Sequence, residues 1–210
     1  MPIEFVQHRT FESNGVQLAA KEWGTPEGKP VIALHGWLDN ANSFDKMLPF
    51  LEGMHVIAVD MAGHSQSGFR SADCGYDIWQ DIADVLAISQ QMNWDSFALL
   101  GHSRGAIVSA LVAGTFPKLV THSLLIDSYF PIPNKPANAA AQLAKAITDS
   151  QKFRAFKPSA FNTMADAVNA RVNGFVPLQE AAAVILAERG VVEVDGKFSL
   201  RNDQRLKASS

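Results

Sequence analysis

"LLGHSRGA", residues 99–106, joins two segments of different character. Before it, "SFALLG" (96–101) is a continuous apolar run of the kind that forms a strand buried on both faces. After it, "SRGAIVSALVAGTF" (103–116) reads as a helix ended by Pro117. The joint itself is Gly101-His102-Ser103-Arg104-Gly105, a G-x-S-x-G pentapeptide. Such a turn needs small neighbours, because side chains at Gly101 and Gly105 would clash with the adjoining strand and helix. The following helix aims its first N–H groups and positive dipole end at the serine. Alone the pentapeptide is a chance pattern, and a glycine-rich tight turn without chemistry is the competing reading. The strand before it and the helix after it favour a presented nucleophile.

The same alternation extends in both directions. "PVIALHG" (30–36), "MHVIAVD" (54–60) and "VTHSLLIDS" (120–128) are further buried strands. "DIWQDIADVLAISQQMNW" (77–94) places Ile78, Ile82, Val85, Leu86 and Ile88 on one helical face. "NSFDKMLPFLE" (42–52) has apolar residues at helical spacing. Residues 4–12 and 16–23 form a hairpin turning at Asn14-Gly15. The fold class expected is α/β: a doubly wound, mostly parallel sheet with an N-terminal antiparallel hairpin. "YFPIPNKP" (129–136) is a proline-rich linker. Beyond it, 137–151, 159–173 and 177–189 are helical in pattern, and "VVEVDGKFSL" (191–200) is a small hairpin turning at Asp195-Gly196. Two domains follow, a core at 1–128 and a helical subdomain at 129–210.

Composition removes several function classes. The net charge is −3 with no Lys/Arg cluster that could track phosphates, which argues against nucleic acid as a partner. One cysteine, Cys74, allows neither an internal disulfide nor a cysteine zinc site. "MPIEFVQHRT" lacks the basic and apolar regions of a signal peptide. No apolar run approaches the roughly 18 residues that span a bilayer. A cytoplasmic protein is the expectation.

"LHGW" (34–37) is a second chemical motif. A buried strand ends in His-Gly, and glycine lets the backbone swing a free N–H toward the serine. The N–H of Trp37 would then join that of Arg104 in holding a developing oxyanion. His35 is read as a brace for this loop through side-chain hydrogen bonds, not as a base, and Gly36 as the residue that permits the turn. The competing reading is a plain strand-end turn. "GHSQSG" (63–68) has the glycine spacing of a phosphate loop but continues with Phe69 in place of Lys-Ser/Thr. No His-Glu-x-x-His or similar metal spacing exists, so neither a metal nor another cofactor is expected.

Taken together, "ALHGW", "VIAVDMAGHSQSG" and "LLGHSRGA" resemble the α/β-hydrolase superfamily in order and spacing. The resemblance covers residues 1–130 well. The segment after 130 looks like the variable cap of that family, and "FSLRNDQRLK" (198–207) is similar to the cap exit of its serine hydrolase-like branch. By resemblance Ser103 is the nucleophile, Trp37 and Arg104 supply oxyanion N–H groups, and His102 and Arg104 flank the nucleophile without acting as base. Asp60 and Gly63-His64-Ser65 shape the site from the loop after the fourth strand.

The family order is serine, acid, histidine. Asp127, at the end of the sixth strand, is a candidate acid; strand or loop capping is the alternative. His122 is the only histidine after Ser103, and it opens the sixth strand, away from the catalytic face. By resemblance the fold has eight strands, of which six are accounted for. The expectation is a chain that stops before the last two strands and the histidine loop, inactive as it stands. Its uncovered sheet edge would promote self-association.

The function expected is a serine hydrolase with esterase-like acyl transfer through Ser103, acting on a small, apolar, ester-like substrate. The alternative is a non-catalytic homologue that binds a small apolar ligand or a protein partner. Phe161, Met164, Phe175, Val176 and Val184 are candidate cap linings. Apolar residues at helical spacing usually pack, so these five are read first as core of the subdomain.

Overall fold

The computed structural model describes every residue except Met1, Pro131, Ile132, Asn134, Phe175, Ser209 and Ser210. Strands β1 (Phe5–Ser13) and β2 (Val16–Gly24) form the hairpin, with Asn14 and Gly15 both at positive φ. β3 (Lys29–Leu34), β4 (Met54–Val59), helix α1 (Ile78–Gln91), β5 (Phe97–His102), helix α2 (Arg104–Thr115) and β6 (Val120–Ile126) follow. The sheet order is β1-β2-β4-β3-β5-β6. β2 runs antiparallel to β4, whereas β3, β4, β5 and β6 are mutually parallel. This is the mixed α/β sheet expected from the alternation.

The central strands bury both faces, which explains their unbroken apolar character. Ile32, Ile57 and Leu99 face one layer, with Val85 and Ile88 of α1 and Val108 and Val112 of α2. Val31, Ala33, Val56 and Ala58 face the other, where Phe44 and Leu48 cover them. That cover differs from the helix expected over 42–52. Ala41–Phe44 and Leu48–Phe50 are short 3-10 turns. Pro49 lacks the N–H an α-helix would need there, and the Asn40 side chain caps the first turn by accepting from the Asn42 N–H at 3.0 Å.

β6 also departs from its reading as a buried strand. It pairs with β5 alone, and Leu124 and Ile126 are 54% and 37% exposed. Its apolar residues equip it for burial, but burial depends on what covers it. Among the described residues little does.

The remaining elements are α3 (Ala139–Arg154), β7 (Ala160–Phe161), α4 (Met164–Val172), α5 (Glu180–Gly190), β8 (Val191–Val194) and β9 (Lys197–Leu200). β7-β9-β8 form a small antiparallel sheet, so the helix expected over 159–173 is shorter. Thr163 and Asp166 build a capping box that starts α4 only after β7. α3 buries no residue. The last turn, Gln204–Ala208, is 3-10, and it sends Leu206 into the main core cluster.

Candidate active site

Ser103 lies between the end of β5 and the start of α2, with φ 50° and ψ −115°. A non-glycine residue adopts that conformation only when its surroundings enforce it. The enforcement is visible. The Ser103 N–H donates to the Ile126 carbonyl at 2.9 Å, and the Ser103 carbonyl accepts from Ala106 at 3.0 Å. A Cβ on Gly105 would fall onto the Leu34 carbonyl and within 2.8 Å of the His35 oxygen. A Cβ on Gly101 would lie 2.6 Å from the Ala106 Cα. Strand, helix and turn approach too closely for any larger residue at either position. As a first-turn residue, Arg104 has a backbone N–H without an intrahelical acceptor.

The turn after β3 faces this elbow. The Asp39 N–H donates to the Gly36 carbonyl at 3.1 Å, closing residues 36–39, and Leu38 within it has φ 61°. The Trp37 backbone N–H donates to no acceptor among the described residues. Gly36 is enclosed: a Cβ there would meet His102 Nδ1 at 2.9 Å and Asp39 Oδ2 at 3.0 Å. His35 is fully buried. Its Nε2 accepts the Met61 N–H at 3.0 Å, which leaves Nδ1–H to donate to the Gly36 carbonyl at 2.7 Å. Desolvation lowers its pKa, so the ring is a neutral brace between the turn and the loop after β4. His64 packs edge-on against it at 4.9 Å between ring centroids. Burial depresses the His64 pKa further, and its Nδ1 lies 3.1 Å from the Ala62 carbonyl.

Charged residues converge here whose pairings, and in Asp39, Asp81, Arg171 and Arg189 whose presence, had no local sequence signal. The Asp39 carboxylate accepts from Arg171 Nη2 of α4 at 2.5 Å and stands 3.8 Å from His102 Nδ1. Asp60 is fully buried at the end of β4. It accepts from the Ala41 and Gln66 N–H groups at 2.8 and 3.0 Å, and from Arg189 Nε at 2.9 Å to both oxygens. Behind the elbow, the Arg104 guanidinium donates to Asp81 at 2.7 Å and to the Tyr76 carbonyl at 2.9 Å. Burial pushes the Asp81 carboxyl up to about 6 in spite of Arg104. The carboxylate–guanidinium partners lie 23 to 132 positions apart along the chain, and no spacing rule connects them.

A cleft of about 380 Å³ opens beside His102. Phe44, Met47, Ile126, Ala182, Ile185 and Leu186 give it apolar walls. Of the residues singled out as cap linings, Phe161, Met164, Val176 and Val184 are not among them. Met164 and Val184 line a separate cleft of about 360 Å³ between α4 and α5. Phe161 packs in a small cluster with Ala167 and Ala187, Val176 is exposed, and Phe175 lies outside the described residues. Asp127, expected at a buried strand end, is exposed just past β6 with φ 67°. His122, paired in register with Ala98, lies toward the start of that strand. Among the described residues, no hydrogen bond reaches the Ser103 hydroxyl, and no group of three or more His, Cys, Asp or Glu side chains is placed to hold a metal ion.

Residues 29–188 match the family model described as the alpha/beta hydrolase fold. The chain belongs to the alpha/beta hydrolase family. Within that family it is 31% identical over 193 residues to serine hydrolase-like protein 2 of Homo sapiens, covering 90% of this chain and 62% of that protein. It is 30% identical over 202 residues to a serine hydrolase-like protein of Danio rerio, covering 90% and 60%. The crystal structure of the hypothetical protein PA1622 from Pseudomonas aeruginosa PAO1 superposes with a TM-score of 0.92 at 39% identity, covering 96% of this chain and 71% of that one. This alpha/beta hydrolase therefore spans about 60% of the length of these two curated relatives. No helix among its described residues is long and apolar enough to cross a membrane.

Proposed function

We propose that this alpha/beta hydrolase carries the nucleophile and oxyanion hole of an esterase-like serine hydrolase. The observation that carries the reading is the backbone of Ser103, at positive φ between two glycines that admit no Cβ. Backbone strain of this kind persists where function requires a side chain to be presented. In the reaction, the Ser103 hydroxyl loses its proton to a base and its oxygen attacks an acyl carbonyl. The carbonyl oxygen takes the negative charge and is held by the N–H groups of Trp37 and Arg104. Collapse breaks the ester C–O bond as the base returns its proton to the leaving oxygen, releasing the neutral alcohol, and water then cleaves the acyl-enzyme. Arg171 on α4 and the α5 residues that line the cleft support a cap role for these helices, over an apolar acyl group. Asp127 is the acid candidate, one residue beyond the in-register partner of His102.

Neither His35 nor His64 is placed to supply the base. His35 is committed to Gly36 and Met61, and His64 is buried beside it. We therefore read these 210 residues as inactive in turnover unless a base comes from further chain or from a partner. A second reading, a non-catalytic binder, is favoured by the same unbonded serine hydroxyl. Intact-mass measurement after incubation with a fluorophosphonate tests the first. An adduct present in the wild type and absent in Ser103→Ala supports an activated serine. No adduct, together with tight binding of an apolar ester that is never hydrolysed, supports the binder.

A further inference from the structure

The turn at 36–39 should not hold its shape unaided. Leu38 occupies the third position at φ 61°, where glycine is the residue of choice and a branched side chain is strained. Each residue of the turn beyond Gly36 is tied down from far along the chain. Arg171 Nη2 donates to the Asp39 carboxylate at 2.5 Å. The Trp37 indole Nε1–H donates to the Leu206 carbonyl at 3.1 Å. Asn202 Nδ2 donates a long bond of 3.4 Å to the Leu38 carbonyl, while its Oδ1 accepts from the N–H of Ser65, itself at positive φ. The three ties come from α4 and from the final segment after β9, each more than 160 positions away except Arg171, at 132.

We infer that Arg171, with Asn202 and the Leu206 carbonyl, is a positioning device that holds the strained turn at 36–39 so that the Trp37 backbone N–H faces Ser103. This rests on the proposed role of Trp37 as an oxyanion donor. The physical reason is preorganisation. A donor stabilises developing charge only if it is already aimed, and a turn that relaxes at Leu38 reorients the 37–38 peptide and lets Trp37, with its backbone N–H, shift from that position. Arg171 lies 19% exposed between its helix and the turn, so its guanidinium is partly desolvated and geometrically fixed. The local sequence "HGWLD" contains the strained leucine but nothing that holds it.

The test is the rate of Ser103 labelling by an alkyl fluorophosphonate, separated into probe affinity and maximal inactivation rate, with hydrogen–deuterium exchange over residues 35–40 as a second readout. Arg171→Ala is expected to lower the maximal rate about tenfold, less than the ~100-fold that outright loss of a donor costs. Affinity should stay unchanged, and exchange at 36–39 should rise. Arg171→Lys should recover part of the rate. The decisive variant is Leu38→Gly in the Arg171→Ala background. Glycine adopts the positive φ freely, so it should restore the rate if strain is what the arginine opposes. Unchanged exchange and rate in Arg171→Ala would overturn the inference, as would a loss confined to affinity that Leu38→Gly leaves in place. Absence of labelling in the wild type, with exchange still rising in Arg171→Ala, would count against an activated Ser103 in these residues and leave the holding of the turn intact.

Discussion

Replacing Arg189 by alanine should destabilise the protein more than the loss of its surface contacts alone implies. Arg189 closes α5 and lies against Asp60 with side-chain exposures of 3% and 0%. Both Asp60 oxygens accept from Arg189 Nε at 2.9 Å, and the Ser65 hydroxyl donates to the Arg189 carbonyl at 2.9 Å. After truncation Asp60 keeps the Ala41 and Gln66 N–H donors but has no cation in a site without water access. Breaking one side of a buried pair costs about 3–5 kcal/mol, because a charge stays buried and uncompensated. With a urea dependence of about 2–3 kcal/mol per M for a chain of this size, the unfolding midpoint should fall by about 1–2.5 M. Asp60→Asn combined with Arg189→Met removes both charges, and it should lie closer to the wild type than Arg189→Ala does. The assay is urea unfolding followed by far-ultraviolet circular dichroism on Arg189→Ala, on Asp60→Asn and Arg189→Met singly, and on the double variant. A midpoint shift below about 0.3 M in Arg189→Ala would refute the reasoning, as would a double variant whose loss is the sum of the two single changes.

Three further outcomes are expected. Glu22 and Asp81 should give stability opposite pH dependences. Burial raises the Glu22 carboxyl, but hydrogen bonds from Arg9, Gln7 and His55 outweigh it and bring the pKa to about 2, so its stabilisation is present above about pH 4.5 and is lost as pH falls toward 2. Asp81, raised by burial to about 6, favours folding below pH 3.8 and loses that contribution as pH rises through 6. Asp81→Asn should therefore flatten the change between pH 4 and 6, and Glu22→Gln the one below 4.5, in midpoints measured across that range. Unaltered profiles in both variants would contradict these assignments. Gly105→Ala should cost about 3 kcal/mol or more, because its Cβ meets the β3 backbone, while Gly114→Ala, with no atom within 4 Å, should stabilise α2 by up to ~1 kcal/mol. Equal thermal midpoints for the two would be inconsistent with the crowded elbow. The exposed edge at β6 should drive concentration-dependent association, visible by light scattering and reduced by Leu124→Lys. A wild type that stays monomeric at every concentration would exclude it.

Local rules made much of this fold readable from the residues alone. The unbroken apolar runs at 30–36, 54–60 and 96–101 had to be strands buried on both faces, and β3, β4 and β5 are. Asn14-Gly15 had to turn a hairpin, because both residues tolerate positive φ. Gly101 and Gly105 around Ser103 indicated a close approach of strand, turn and helix, and the distances to Ala106 and Leu34 show that approach. Such features are legible because they depend on neighbours a few positions apart. The reading faltered where a longer-range partner or a competing residue decided the outcome. Pro49 broke the helical spacing of 42–52 into two 3-10 turns, and the apolar β6 proved exposed because exposure is a property of what lies over a strand. The pairs Asp39–Arg171 and Asp60–Arg189 belong wholly to tertiary structure. A carboxylate and a guanidinium separated by about 130 positions carry no periodicity, and only the packing of α4 and α5 against the β3 and β4 loops brings them within hydrogen-bonding distance.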